Sequence, residues 1–211
     1  KSCRHKMLCL VERTAYPVCV FVANTAARAA FYSDSTELFN NVFTNNTATS
    51  GGGGAVAINK LPSTIQNCVF VGNTCTNGTD SKYNGGAALR NGWAIGCEFR
   101  GNATPDNGGA YYGYVSGNVV SNCIFGANSA TNYGVAYNAT MFGCLATGNS
   151  SSTEGGVLVG GGGTRINCTF VGNLANEGAV TDEASVNCLC ANLGVESHQP
   201  DIAPCGRHGL S

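Results

Sequence analysis

The stretch Asn67-Cys68-Val69-Phe70-Val71-Gly72-Asn73 decides the fold, because the chain repeats it from end to end. Three close copies and four weaker ones bring the total to eight, with closing asparagines 19 to 29 residues apart. A second phrase, Gly-Gly-Ala plus an aliphatic residue, recurs between the copies, as at Gly53–Val56. A fixed period of about 20–50 residues is typical of proteins built from stacked repeats. The copies close at Asn24, Asn46, Asn73, Asn102, Asn128, Asn149, Asn173 and Asn192.

Alternation within each copy predicts which side chains are buried. In Cys68-Val69-Phe70, the cysteine and the phenylalanine point to one face of a strand and the valine to the other. Gly and Asn then end the strand, since both tolerate a positive φ, and the Gly-Gly-Ala phrase begins a second strand. We therefore expect an all-β, single-stranded right-handed parallel β-helix of about eight coils, stacked ~4.8 Å apart.

Stacking in register predicts three internal columns of like residues. The closing asparagines form a ladder whose side-chain amides bond to one another from coil to coil. Only the alanine-rich stretch Thr25–Phe31 favours a short helical turn. The other two columns are phenylalanines (Phe21, Phe43, Phe70, Phe99, Phe125 and Phe170) and cysteines (Cys19, Cys68, Cys97, Cys123, Cys144, Cys168 and Cys188).

Three segments divide the chain. Residues 17–192 carry the repeats, residues 1–16 lack them, and residues 193–211 leave the pattern with prolines and Cys205. Terminal units of a repeat stack must differ from the rest, because an exposed apolar end would be adhesive. We expect residues 1–16 to be an N-terminal cap or joining arm and residues 193–211 a C-terminal lid or joining tail.

Composition favours a secreted protein. The net charge is −1, so nothing attracts a nucleic acid over long range, and no apolar run is long enough to span a bilayer. Twelve cysteines and six Asn-X-Ser/Thr sequons indicate an extracellular or cell-surface location with N-linked glycans. Asn102 and Asn149 belong to the ladder and are the poorer acceptors. The candidate glycosylation sites are Asn45, Asn77, Asn102, Asn138, Asn149 and Asn167.

The cysteine column leaves two alternatives open. Vertically adjacent Cα atoms ~4.8 Å apart can be spanned by a disulfide, yet buried cysteines also act as small apolar side chains. Bridges are favoured at the two ends. The disulfide candidates are Cys3, Cys9, Cys68, Cys97, Cys123, Cys144, Cys168, Cys188, Cys190 and Cys205.

No cofactor or metal is expected. A metal site would have to use Cys188, Cys190, His198, Cys205 and His208, whose spacing matches no compact zinc pattern.

An enzyme on this scaffold would act on polysaccharide with paired carboxylates. The best pairs are Glu154 with Glu177 and Asp80 with Asp106, but solvated loop charges explain them equally well, so no catalytic residue is assigned. Exposed aromatic residues provide a route to sugar binding by stacking. The aromatic candidates are Trp93, Tyr83, Tyr111, Tyr112, Tyr114, Tyr133 and Tyr137.

The pairing of Phe-x-x-Asn (Phe70 to Asn73) with Gly-Gly-Ala-aliphatic resembles the repeats of the chlamydial polymorphic membrane proteins. It is also similar to the wider set of β-helix surface proteins with pectin-lyase-like folds. The resemblance covers residues 17–192, although the units here are more compact and more regular in cysteine. It implies a secreted, cysteine-rich adhesin or coat component.

We therefore predict an extracellular structural protein rather than an enzyme. Open strand edges invite pairing, and a head-to-tail contact that does not close produces a filament. The prediction is a self-assembling homopolymer, a subunit of a surface filament, fibril or coat with an adhesive role. The alternative is a polysaccharide lyase or hydrolase, or a glycan-binding module, on the same scaffold.

Overall fold

The structure is a computed structural model, which describes residues 18–50, 52–76, 85–152, 163–175 and 185–191. For residues 7–10 and 203–204 it describes the backbone alone. The chain is an all-β parallel β-solenoid, and these residues contain no helix. The expected fold class is confirmed.

Each complete coil contains four short strands. Strand β1 (Met7–Leu10) precedes the first coil. The first coil comprises β2 (Val18–Val22), β3 (Thr25–Ala26), β4 (Phe31–Ser33) and β5 (Glu37–Phe39). The second comprises β6 (Val42–Thr44), β7 (Thr47–Ala48), β8 (Val56–Ile58) and β9 (Thr64–Gln66). The third comprises β10 (Val69–Val71), β11 (Thr74–Cys75), β12 (Leu89–Arg90) and β13 (Trp93–Ile95).

Two further coils are complete, and three more are represented by fewer strands among the described residues. The fourth comprises β14 (Glu98–Arg100), β15 (Ala103–Asn107), β16 (Tyr111–Tyr112) and β17 (Val119–Ser121). The fifth comprises β18 (Ile124–Gly126), β19 (Ser129–Asn132), β20 (Ala136–Tyr137) and β21 (Thr140–Phe142). The remainder are β22 (Leu145–Thr147), β23 (Ser150–Ser151), β24 (Arg165–Ile166), β25 (Thr169–Val171), β26 (Ser185–Val186), β27 (Leu189–Ala191) and β28 (Ala203–Pro204).

Strands at the same position in successive coils pair in parallel and form four sheets. Sheet A has ten strands, in the order β1-β2-β6-β10-β14-β18-β22-β25-β27-β28, and its two outermost strands run antiparallel to their neighbours. Sheet B has the order β23-β19-β15-β11-β7-β3, and sheet C the order β20-β16-β12-β8-β4. Sheet D has the order β26-β24-β21-β17-β13-β9-β5.

The expected number of coils needs correction. The solenoid has about five complete turns rather than eight. All eight copies of the phrase supply a parallel strand to sheet A, but only the first five continue through sheets B, C and D in the described residues. Each complete coil has four short strands, most of two or three residues, and residues with positive φ turn the chain between them.

The phenylalanine column is confirmed and is continuous through the first five coils. The ring centroids of Phe43, Phe70, Phe99 and Phe125 are 4.8 to 5.1 Å apart, with nearly parallel planes. Ala146 takes the next place in register, and Phe170 follows it. Because these side chains are fully buried, they form the apolar centre of the rod.

The asparagine ladder is also confirmed. Asn73 donates its backbone N–H and its side-chain Nδ2 to Oδ1 of Asn102, at 2.9 and 3.0 Å, and Nδ2 also reaches the Phe43 carbonyl at 2.9 Å. Positive φ at this corner belongs to the residue before the asparagine, such as Gly72 at φ 62°, rather than to the ladder itself.

Two local expectations have different outcomes. Thr25–Phe31 contains no helix, because its residues add strands to sheets B and C in register with the next coil. The Gly-Gly-Ala phrase does permit a close approach. A Cβ on Gly109 would lie 2.3 Å from the Gly134 carbonyl oxygen, so only glycine fits there.

Candidate functional site

The outward side of sheet A, called the A face below, is the main exposed surface built by the repeat. Its side chains alternate with the buried cysteines and phenylalanines. In register, its first column is Val20, Val42, Val69, Glu98, Ile124, Leu145, Thr169 and Leu189. Its second column is Val22, Thr44, Val71, Arg100, Gly126, Thr147, Val171 and Ala191.

The A face is apolar and exposed. Ile124, Leu145 and Leu189 retain 39%, 38% and 47% of their accessible surface. Eight strands at ~4.8 Å spacing and three residues of ~3.3 Å each give a face of about 38 by 10 Å, on the order of 400 Å² in projection. Most of its side chains are apolar, and the largest apolar patch of a protein is often an interaction surface.

One ion pair interrupts the A face. Within its two columns, Glu98 and Arg100 are the only charged residues, and the Arg100 guanidinium donates a hydrogen bond to the Glu98 carboxylate. Their side chains are 35% and 55% exposed, so the pair contributes little to the stability of one rod, less than about 1 kcal/mol. The pair therefore adds two charges to an otherwise uncharged pair of columns but contributes little to the stability of the fold.

The two columns of the A face differ in size towards the C-terminal end. Thr147 and Ala191 in the second column lie beside Leu145 and Leu189 in the first. A large side chain thus lies beside a small one in these two coils, whereas Thr169 lies beside Val171 in the coil between them. In these two coils the surface is complementary to a copy of itself related by a two-fold axis parallel to the rod.

A second cluster lies on sheet C. Arg90, Tyr112 and Tyr137 occupy one column of the sheet. The Arg90 guanidinium is 4.7 Å from the centroid of the Tyr114 ring, and the rings of Tyr112 and Tyr137 stack at 5.1 Å. Cation–π contacts and stacked tyrosines are groups that recognise sugars or planar ligands.

Asp106 adds a carboxyl group beside this cluster. It lies where the pairing of β15 with β19 shifts register, and bulges of this kind frequently adjoin functional sites. Partial burial raises the pKa of Asp106. Burial also raises the pKa of Tyr112, with smaller contributions from Tyr137, Tyr114 and Asp106. Arg90 is only 4% exposed, so a ligand would reach Tyr114 first.

The six candidate glycosylation sites fall into different environments. Asn45 and Asn167 are exposed, whereas Asn102 and Asn149 are fully buried and use both side-chain atoms within the ladder. Asn138 is half-buried and donates Nδ2 to the Gly113 carbonyl at 2.7 Å. Asn77 lies outside the described residues. A glycan on the folded chain is therefore compatible with Asn45 and Asn167 and incompatible with the two ladder positions.

Six of the seven cysteines of the column carry free, buried thiols. These are Cys68, Cys97, Cys123, Cys144, Cys168 and Cys188. Cys19, in the first coil, is disulfide-bonded. Cys190 is also disulfide-bonded, and it occupies the phenylalanine position of the last coil. The backbone of Cys9 lies opposite Cys19 in the antiparallel pairing of β1 with β2. Cys3 and Cys205 lie outside the described residues.

Sulfur atoms contact one another along this column. Side-chain hydrogen bonds join Cys68, Cys97, Cys123, Cys144 and Cys168 in sequence. The hydrogen bond to Cys144, then that to Cys97 and burial, raise the pKa of Cys123. Hydrogen bonds from Cys123 and Cys168 lower the pKa of Cys144 to about 4, and those from Cys123 and Cys68 lower that of Cys97.

Several other candidates lie outside the described residues: Asp80, Tyr83, Glu154, Glu177, His198 and His208. Among the described residues, no group of three or more His, Cys, Asp or Glu side chains converges on a metal position. That part of the chain also contains no helix long and apolar enough to cross a bilayer.

The remaining aromatic candidates are described. Trp93 is exposed, and its indole N–H donates to the Gly117 carbonyl at 3.1 Å. Tyr111 is buried, and its hydroxyl bonds to Gly92 and Asn118. Burial raises the pKa of Tyr111 well above its usual value, so this residue is part of the core. Tyr133 packs against Tyr137, with ring centroids 5.2 Å apart.

Comparison with protein-family models, with curated proteins and with solved structures finds no match to the chain. The assignment of a parallel β-solenoid therefore rests on the structure. No match supports the narrower resemblance to chlamydial surface repeats or pectin-lyase-like proteins.

The A face was not recognised from the sequence as a surface. Its outward positions, such as Val69, Glu98 and Ile124, look mixed when each copy is considered alone. The two columns become visible only when the strands of successive coils are aligned in register.

Proposed function

We propose that the protein is an extracellular structural subunit whose rods associate side by side through the A face. The observation that carries the proposal is the apolar, exposed and regular surface of eight strands in sheet A. The largest apolar patch on a protein surface is often the one that binds a partner. A laterally paired rod would be the unit from which a fibril or coat is assembled.

The occupant of the A face in this proposal is a second copy of the chain. A two-fold axis along the rods, between the two columns, keeps the rods parallel and sets each coil against the same coil of its partner. Glu98 of one copy then faces Arg100 of the other, and the reverse contact repeats it. The charges are complementary in this arrangement, whereas antiparallel rods would place each column against itself.

Side-chain size supports the same arrangement. With parallel rods, Leu145 of one copy lies against Thr147 of the other, and Leu189 lies against Ala191. Large side chains meet small ones, so the two faces can interdigitate as packed sheets do. Val42 and Val69 form the apolar N-terminal half of the contact.

The expected affinity is modest. A face of about 400 Å² in projection is smaller than the ~800 Å² of accessible surface that each partner buries in a standard interface. Exposed apolar residues on the adjoining edge of sheet D, Phe142 and Val186, extend the surface. We expect a concentration-dependent pair, and the many contacts of an assembled fibril would stabilise it further.

Lengthwise growth is the second step of the proposal. Sheet A begins and ends with antiparallel strands, β1 and β28, which occupy the edges that a head-to-tail contact would need. Sheets B, C and D end on parallel strands in the described residues. A filament would therefore join rods through these three sheets, while the A face holds neighbouring rods together.

An extracellular location fits the same chain. Cys19 and Cys190 are disulfide-bonded, which favours an oxidising compartment, and the sequon asparagines Asn45 and Asn167 are exposed. The resemblance of the repeats to chlamydial surface proteins agrees with the proposed coat or adhesive role.

The proposal is tested by introducing a charge into the A face. We expect the wild-type chain to shift from monomer to dimer with increasing concentration in sedimentation velocity, and Leu145→Lys to remain monomeric. Ser129→Lys, at an outward position of sheet B in the neighbouring coil, is the matched control and should associate like wild type. A wild-type chain that stays monomeric at every concentration would contradict the proposal.

A charge swap tests the parallel arrangement itself. Glu98→Arg should weaken association, because two like charges then meet on each side of the axis. Adding Arg100→Glu restores opposite charges across the interface and should restore association. If the double variant associates no better than Glu98→Arg, the rods do not pair in this way.

A second candidate function, glycan binding, rests on the cluster of Arg90, Tyr112 and Tyr114. Tyr114 is its exposed member, and Arg90 stacks beneath it. Retention on immobilised polysaccharides should then be reduced by Tyr114→Ala and unaffected by Tyr32→Ala, an exposed tyrosine of the first coil. Equal retention of both variants would exclude this site.

A further inference from the structure

The cysteine column is an uninterrupted line of six thiols. Each of the six cysteines immediately precedes a strand of sheet A, and these strands pair in register, so neighbouring cysteines lie one coil apart. The line begins at Cys68, because Asn41 occupies the same position in the coil before it and accepts a hydrogen bond from the Cys19 N–H. It ends at Cys188.

We propose that this column is an oxidation site that takes up three disulfides, Cys68–Cys97, Cys123–Cys144 and Cys168–Cys188. Only vertical neighbours are close enough to be bridged, since one coil spacing of ~4.8 Å fits a disulfide and two do not. Six positions in a line can all be paired with a neighbour in only one way. The alternative pairs Cys97–Cys123 and Cys144–Cys168 leave the two end thiols over.

Each bridge forms by thiol–disulfide exchange with a small-molecule disulfide of the glutathione type. One cysteine thiolate attacks a sulfur of the oxidant, forms a mixed disulfide and releases the first small thiol. The neighbouring cysteine, as thiolate, attacks the protein sulfur of the mixed disulfide and releases the second. Two protein thiols become one disulfide while one oxidant becomes two thiols, so atoms and electrons balance.

The contacts in the column favour formation of one thiolate in each of the first two pairs. Hydrogen bonds from the neighbouring sulfurs lower the pKa of Cys97 in the first pair and of Cys144 in the second. In the third pair, Cys188 is the most exposed thiol of the line, at 7%. Because the other thiols are almost inaccessible, an oxidant must reach them while coils open or before they close.

The bridges would tie coils together in pairs. They close chain segments of 29, 21 and 20 residues, so each one spans a single coil. The third and fourth coils, the fifth and sixth, and the two that follow become covalent units, while the junctions between units remain non-covalent. This oxidation is independent of the A face, which lies on the opposite side of the same strands.

The test is a disulfide map of the native protein. The chain is reduced in denaturant and refolded with oxidised glutathione, remaining thiols are alkylated in denaturant, and the digest is analysed by mass spectrometry. We expect the three named bridges and no alkylation at the six positions. Recovery of Cys97–Cys123 or Cys144–Cys168, or alkylation of all six cysteines, would overturn the proposal.

Two variants sharpen the map. The double variant Cys68→Ser/Cys97→Ser should keep the bridges Cys123–Cys144 and Cys168–Cys188, because four thiols in a line can also all be paired with a neighbour in only one way. Cys75→Ser, at a buried cysteine outside the column, should keep all three bridges. If Cys144 pairs with Cys168 in the double variant, the pairing is not set by the line of neighbours and the proposal fails. The wild-type map decides the matter even if a variant does not fold.

Discussion

Asparagine recurs at two corners of the coil, for two different physical reasons. At the corner between sheets A and B, the asparagines are buried and their side chains bond from coil to coil, as Asn102 does to Asn128. At the corner between sheets D and A, the asparagines are exposed and the backbone has a positive φ, 53° at Asn122. The first corner needs the amide side chain, and the second needs only the left-handed backbone.

The chain itself shows the difference. Glycine replaces asparagine at the D–A corner twice, as Gly96 and Gly143, with φ of 60° and 57°. No glycine enters the buried ladder in the described coils, because glycine has no amide to complete the hydrogen bonds. The same residue type thus has a replaceable role at one corner and an irreplaceable one at the other.

The largest effect is expected from removing one amide of the buried ladder. Asn102→Ala deletes the hydrogen bonds of Nδ2 to the Phe70 carbonyl and to Asn128, and leaves the buried N–H of Asn73 without its acceptor. Several buried polar groups lose partners together, so we expect a loss of ~3–5 kcal/mol in the free energy of unfolding. Urea denaturation measures it. A loss below about 1 kcal/mol would mean that the ladder adds little.

A smaller effect is expected at the other corner. Asn122→Ala keeps every buried hydrogen bond but places an alanine at positive φ, which costs ~1 kcal/mol. Asn122→Gly should be close to wild type, because glycine adopts this conformation without strain. Asn102→Gly, in contrast, should be at least as damaging as Asn102→Ala. If both corners respond alike to alanine and glycine, the distinction between them is wrong.

The two corners also show what the sequence could predict. The interior columns were predictable because asparagine recurs at a fixed place in every copy and phenylalanine in six of the eight, so like stacks on like. The two-residue strands of sheet B, such as Thr74–Cys75, were not, because a strand that short has no alternation to detect.

The burial of a charged residue was also not predictable from the sequence. Arg165 is fully buried on the inner side of sheet D, with its Nε 3.0 Å from the Ser185 hydroxyl. A sequence pattern would place an arginine outside. The burial of Arg165 depends on contacts with the neighbouring coil. The A face likewise depends on how strands of successive coils pair, so neither feature can be read from one copy of the repeat.

The smallest effect concerns a corner without a ladder, where sheet B meets sheet C. Burial raises the pKa of Asp106 there above its ordinary value of 3.8, so the folded chain holds this proton more tightly than the unfolded one. Stability should therefore fall as the pH rises from about 3.8 through the folded pKa, and stay constant above it. Asp106→Asn removes the titration and should be slightly more stable than wild type at neutral pH, with the difference vanishing in acid.

Asp34 provides the control of opposite sign. Hydrogen bonds from Asn59 and then from Lys60 lower the pKa of this exposed carboxyl, so its contribution is present above 3.8 and is lost as the pH falls through the folded pKa. Thermal unfolding of both variants from pH 3 to pH 8 should give Asp34→Asn slightly below wild type at neutral pH and Asp106→Asn slightly above. Shifts of the same sign would show that burial does not set the pKa of Asp106, and the B–C corner would then be governed by hydrogen bonds, as the A–B corner is.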